Sequence, residues 1–197
     1  VDVHDESRVT GLERTYPNFL TAEGIGGDET RPTHEQALAN LFTRMIAGPA
    51  DHTFCYYNGY VDQTSSHASQ LAKSVCFFSP LQFLFWYDRP SQMSKDPELE
   101  FFRHLPTTWD ESLVLHSKIG TYAAIARRNG KNWFVGCLNA VEPRTLEVVF
   151  DFLPGDKNYT AHIYRDDDSV NTRTKVGIEK RDVTATSVFR ADLAKQG

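Results

Sequence analysis

Beyond Pro106 the chain changes its period. ESLVLHS, TYAAIARR, NWFVGCLN, RTLEVVFDF and YTAHIYRD are strand-length runs separated by turn residues, and Asn129-Gly130 within ARRNGKNW is a two-residue hairpin signal. In RTLEVVFDF, Leu146, Val148, Phe150 and Phe152 alternate with polar neighbours except at Val149. That alternation belongs to a sheet with one wet face. The expectation is an antiparallel β domain over residues 107–197, with the boundary between Pro106 and Trp109.

The first 106 residues alternate strand-like and helix-like pieces, the mark of a parallel α/β region. VDVHD reads as a short strand. Thr33 with Gln36 three residues later forms a capping signature, followed by apolar Ala37, Leu38, Leu41, Phe42, Met45 and Ile46, and Gly48-Pro49 stops the helix. DHTFCYY is a second candidate strand. A helix over His67 to Cys76 turns Leu71, Ala72 and Val75 inward, and a third begins with Pro97 at its first position. These 106 residues fall well short of the roughly 250 of a complete eight-stranded barrel. On a barrel reading they are its closing part.

Charge and composition exclude some partners. A net charge of -5 gives no basic footprint for a phosphate backbone, so nucleic acid is not expected. The most apolar run, VCFFSPLQFLFWY, is broken by Ser79, Pro80 and Gln82 before reaching the roughly 18 to 20 residues of a membrane span. Cys55, Cys76 and Cys137 are odd in number and lack zinc-ligand spacing, so they read as free buried thiols.

The chemistry is concentrated between His4 and Glu29, in HDESRVTGLERTYPNFLTAEGIGGDE, where Asp5, Glu6, Glu13, Glu23, Asp28 and Glu29 surround a TYPN turn. Several carboxyls gathered in one loop can divide the work of acid and base, one kept protonated and one ionised. Isolated Glu6 and Asp28 are most simply solvated. Tyr56, Tyr57 and Tyr60, in CYYNGYVDQTSS, are candidates for a cleft rim.

GLERTYPNFLTAEGIGGDE, FTRMIAGPADHT, HASQLAKSV with SPLQ, LPTTWDES, IGTYAAIARRNGKNWFVGCLN and DFLPGDKNYTAHIYRDD, in this order, resemble glycoside hydrolase family 97 over nearly the whole chain. The resemblance implies the closing part of a catalytic (β/α)8 barrel in residues 1–106, followed by a C-terminal antiparallel β-sandwich-like domain in 107–197. It implies exo-acting hydrolysis of α-glucosides or α-galactosides, a Ca2+ cofactor and a periplasmic location. By resemblance Glu29 is the general acid and Glu23 a calcium ligand. Asp5 stands where inverting members carry a glutamate that helps activate water and touches the ion. His4 and Asp51 are sugar-contacting or pocket-shaping candidates. The opposite wall of the site is expected upstream of Val1, in the same catalytic domain, which makes this chain inactive alone. The alternative is a non-catalytic carbohydrate-binding or structural β module with an inert barrel remnant.

Overall fold

The computed structural model describes residues 1–5, 10–92, 95–155 and 157–197. β1 (Asp2–Val3) and β2 (Thr21–Ala22) pair in parallel, with Asp2 opposite Thr21 and Val3 opposite Ala22. The ladder runs on as the Glu23 N–H donates to the Val3 carbonyl, so His4 and Glu23 leave the same end of the pair. Helix α1 (His34–Asn40) starts with a complete capping box: the Thr33 hydroxyl accepts from the Gln36 N–H, and the Gln36 side chain accepts from the Thr33 N–H.

The first helix is shorter than its apolar pattern predicts. After Asn40 the Thr43 hydroxyl bonds back to the Ala39 carbonyl, and the chain tightens into a 3-10 turn over Arg44–Ala47. Met45 and Phe42 still pack on the core, but Ile46 is 80% exposed. DHTFCYY is not a ladder strand. It is tied to residues 83–86 by the antiparallel bridge Cys55–Phe85 and by bonds from the Phe54 N–H to the Phe83 carbonyl and from the Trp86 N–H to the Phe54 carbonyl. Helices α2 (Gly59–Thr64), α3 (His67–Cys76) and α4 (Glu100–His104) follow, α3 with the predicted bounds and α4 behind a 3-10 turn opened by Pro97.

The C-terminal part is antiparallel throughout its named strands. β3 (Glu111–Lys118), β4 (Tyr122–Asn129) and β5 (Asn132–Asn139) form a meander; β6 (Arg144–Val149) pairs with β9 (Val188–Leu193), and β7 (Tyr159–Asp166) with β8 (Val176–Val183). Asn129 pairs with Asn132, so the hairpin's two free residues are Gly130 and Lys131, one position later than the dipeptide signal. Gly130 takes φ 58 and Lys131 has no positive φ, the pattern of a II′ turn with glycine first. β6 ends at Val149, because the following residues turn toward Ser187. β8 lacks a sequence signal of its own, since VGIEKRDV carries few apolar residues, whereas in β9 Phe189, Ala191 and Leu193 alternate with Arg190 and Asp192 over only six positions.

The two parts share a core. One cluster joins Ile25, Leu38, Leu41 and Phe77 to Ile125 and Leu138. α3 lies directly on β5, where the Cys76 thiol bonds to the Gly136 carbonyl. Gly136 permits that approach: a Cβ there would stand 2.6 Å from the Ala72 carbonyl oxygen and 2.7 Å from Cys76 Sγ. Gly136→Ala is expected to cost about 1–3 kcal/mol through overpacking. Calorimetric melting should fall by several degrees, roughly 2–4 °C per kcal/mol for a domain of this size. A Gly136→Ala/Cys76→Ala pair recovers only part of the loss, because the Ala72 carbonyl is backbone and cannot step aside.

Candidate active site

A loop rich in glycine carries the acids from β2 to α1. Gly24 and Gly26 take φ 58 and 67, conformations that favour glycine. Gly27 is required for space: a Cβ there would overlap the His52 carbonyl oxygen and Glu29 Oε2, and approach Thr53 Cβ to 2.7 Å. The loop is docked on residues 52–55 by the Asp28 N–H, which donates to the Thr53 carbonyl at 3.2 Å.

Asp28 anchors this docking, and it is not solvated. It is 3% exposed; Oδ1 accepts from His52 Nε2 at 3.1 Å and faces Lys73 Nζ at 3.6 Å, while Oδ2 accepts the Cys55 N–H at 3.1 Å. Burial alone would raise its pKa, but Lys73, His52 and the Cys55 N–H outweigh burial and hold the carboxyl well below the usual range. Burial depresses the pKa of His52, whose ring stacks on Phe77. The neutral ring therefore presents Nε2–H to Asp28.

Glu29, the next residue, is driven the opposite way. Burial first, then the neighbouring Glu23 carboxyl and the charge of Asp28, push its carboxyl up to about 8. Neither of its buried oxygens finds a hydrogen-bond partner among the described residues. Glu23 is 5% exposed, and its backbone carbonyl accepts from Arg44, which also binds the Ala22, Gly48 and Pro49 carbonyls.

His4 closes the cluster. Its ring stacks on Trp86 at 5.6 Å and meets Phe83 edge-on; Nδ1 lies 3.5 Å from both Glu23 Oε2 and Asp5 Oδ1, and Nε2 lies 3.2 Å from Thr53 Oγ1. The Thr53 hydroxyl donates to Asp51 Oδ2 at 3.0 Å, and the Phe83 N–H donates to Asp51 Oδ1 at 3.2 Å. Thr53 sits at φ 53, a strained conformation for a β-branched residue. Asp51 is fully buried, and burial raises its pKa to about 6.

His4, Glu23 and Glu29 each offer a ligand atom within 4.8 Å of the others, a set that could hold a metal ion. The carboxylate oxygens suit a hard divalent cation such as calcium, and a cation between them would relieve their repulsion. Asp5 stays outside this set, its side chain 99% exposed and its backbone at φ 54. Asp51 faces no opening and acts through Thr53 and Phe83. Tyr56 and Tyr57 do not line a rim: both are buried, their hydroxyls donating to Glu98 and Asp96. Glu6 lies outside the described residues. Asp28, Lys73 and Thr53 escape sequence reading because Lys73 shares α3 with inward Leu71 and Val75 and has no spacing signal, and Thr53 reads as an ordinary strand residue.

Two outcomes follow from these charges. Lys73→Met leaves Asp28 buried with only neutral His52 and one N–H, at an expected cost of about 3–5 kcal/mol measurable by urea unfolding. Adding Asp28→Asn to that variant should return most of it. For Glu29, the folded state keeps its proton up to about 8 while the unfolded chain releases it near the ordinary 4.5. Folding therefore takes up a proton in that window, and stability falls as pH rises from about 4.5 to 8. In chelator, Glu29→Gln should show a flatter stability–pH curve over that window; matching slopes would sink the assignment.

A family model described as "Glycosyl-hydrolase 97 C-terminal, oligomerisation" matches residues 108–197. A retaining alpha-galactosidase of Bacteroides thetaiotaomicron is 37% identical, over 84% of this chain and 28% of its own length. A probable retaining alpha-galactosidase of Streptomyces bingchenggensis is 32% identical, over 75% of this chain and 24% of its own. This chain thus spans about a quarter of the curated relatives it matches. A glycoside hydrolase family 97 enzyme of Pseudoalteromonas sp. strain K8, in complex with acarbose, superimposes with a TM-score of 0.86 at 31% identity, covering 100% of this chain and 33% of that one. Its variant in complex with panose gives the same score at 30% identity. The chain belongs to glycoside hydrolase family 97, whose C-terminal region it matches.

Proposed function

We propose that this chain forms one wall of the active site of an α-glycoside hydrolase, with Glu29 as the general acid. The observation that carries the reading is the buried Glu29 carboxyl, kept protonated near neutral pH beside Glu23. An acid that holds its proton to about 8 can give it to a departing glycosidic oxygen at physiological pH. Glu23 is not the second carboxylate of the reaction. Its ligand oxygen lies within 4.8 Å of that of Glu29, closer than the roughly 5–5.5 Å of a retaining pair or 6.5–9.5 Å of an inverting one. Glu23 instead serves to hold calcium, which when bound supplies positive charge among the carboxylates, and Glu29 is left to carry the proton.

The substrate class we favour is an α-galactoside hydrolysed with retention, supported by the names of the two curated relatives. Exposed Asp5, outside the cation set, agrees with a nucleophile supplied from elsewhere in the protein. On this reading residues 1–106 close a (β/α)8 barrel whose earlier strands bring that nucleophile, residues 107–197 form the C-terminal β domain, and the chain alone is inactive. A periplasmic location accords with such a substrate.

The test uses the complete protein. Glu29→Gln should lower kcat about 10²–10⁴-fold on an α-galactoside with a poor leaving group, and far less on an activated aryl galactoside that departs without a proton. Chelator should abolish turnover and calcium restore it. Equal loss on both substrates, or none on the poor one, rules out the acid role.

A further inference from the structure

We infer that Tyr87, backed by Trp86, is a stacking platform for the sugar ring beyond the scissile bond of an α-linked oligosaccharide. The inference rests on the glycoside hydrolase reading above and adds to it a subsite and the residue that forms it. Tyr87 stands at the third position of a turn that the Asp88 N–H closes on the Phe85 carbonyl at 3.1 Å. Its φ is 64, a conformation that turns reserve for glycine or asparagine at this position and that is an outlier for a bulky side chain. The turn is pinned on both sides. Phe85 bridges to Cys55, the Trp86 N–H donates to the Phe54 carbonyl, and Asp88 Oδ2 accepts the Tyr57 N–H at 2.9 Å. Backbone groups and Asp88 make all of these bonds, so none of them needs a tyrosine at position 87. The residue is 68% exposed.

The neighbours of the ring give the strain a use. Tyr87 meets Trp86 at 5.8 Å; Trp86 packs on Phe83 at 5.1 Å and stacks on His4 at 5.6 Å, with the two planes 28° apart. His4 in turn faces Glu23 in the acid cluster. An aromatic row therefore runs from the proposed catalytic site to solvent. Sugar rings carry apolar C–H faces inside a polar rim, and a tyrosine offers an apolar body with a polar tip to match. An exo-acting enzyme holds the terminal sugar inside, so the remaining rings run outward, and the exposed end of the row is the surface they meet. A bulky residue at positive φ persists where function rewards its side chain.

The complete protein carries the test. Tyr87→Ala should lower kcat/KM on melibiose, galactose α-linked to glucose, about tenfold more than on α-galactosyl fluoride, whose leaving group has no sugar ring, and the loss should lie in KM. Tyr87→Phe keeps the ring and should restore the wild-type ratio. Tyr87→Gly removes the ring and relieves the backbone, so it should melt at or above the wild-type temperature while discriminating between the substrates as Tyr87→Ala does. Calorimetry on the Glu29→Gln background reads binding without turnover. There the affinity for the better bound of melibiose and maltose should fall about tenfold in Tyr87→Ala, and that for galactose or glucose should hold. An equal change on both substrates, a Tyr87→Phe variant no better than Tyr87→Ala, a Tyr87→Gly variant that melts clearly below wild type, or a wild-type protein that binds neither disaccharide overturns the inference. Turnover of neither substrate sinks the α-galactosidase reading, and the binding difference still decides the platform.

Discussion

Asp28 is ionised in the protein interior, and everything around the acid-rich loop is arranged to keep it so. Lys73 reaches it from α3, His52 and the Cys55 N–H from the segment that follows Asp51, and its own N–H donates to the Thr53 carbonyl. A buried carboxylate without such partners costs several kcal/mol. The loop therefore has one position in which Asp28 is satisfied, and that position sets Glu29 beside Glu23. The rigidity of the site is electrostatic before it is steric. Gly27 then supplies the steric part, because only a residue without Cβ fits between His52 and Glu29.

Adjacent carboxyls in one loop thus take opposite protonation states for nameable reasons. Asp28 faces a lysine and donors, whereas Glu29 faces another carboxyl and receives no donor from another described residue. The negative charge stabilised at Asp28 is among the causes that keep Glu29 protonated. A carboxyl that keeps its proton and the ion pair that positions it are built from consecutive residues, which is the separation of environments that acid–base chemistry near neutral pH demands.

What the sequence reveals depends on whether the signal is local. Thr33 and Gln36 name a helix start because both halves of the capping box lie within one turn, and Asn129-Gly130 marks the hairpin to within one residue. Glu23 and Glu29 are visible as acids of a glycine-rich loop, and the structure brings them together with His4. Asp28 looks no different from them in sequence. Its fate is decided by Lys73, 45 positions away on a helix whose buried face mixes Gln70, Lys73 and Ser74 with Leu71 and Val75, so no periodicity separates it. Tyr56 and Tyr57 mislead for the same reason: a polar-looking loop becomes interior once Glu98 and Asp96 arrive to accept their hydroxyl protons. β8 goes unseen because its pairing with β7 is carried by backbone over mostly polar residues, and β9 because its alternation of Phe189, Ala191 and Leu193 spans only six positions.

The placement of Lys73 also explains why the β domain matters to a site it does not line. α3 holds Lys73 against Asp28 on one side and, through Ala72 and Cys76, packs against Gly136 of β5 on the other. Close-packed interiors transmit displacements instead of absorbing them. A shift of β5 toward α3 would therefore move the ammonium group relative to Asp28, and with it the loop that bears Glu29. The antiparallel domain is in this sense the back wall of the acid's support. The shared core of Ile25, Leu38, Phe77, Ile125 and Leu138 makes residues 1–106 and 107–197 one packing unit at this point, although their strand patterns differ.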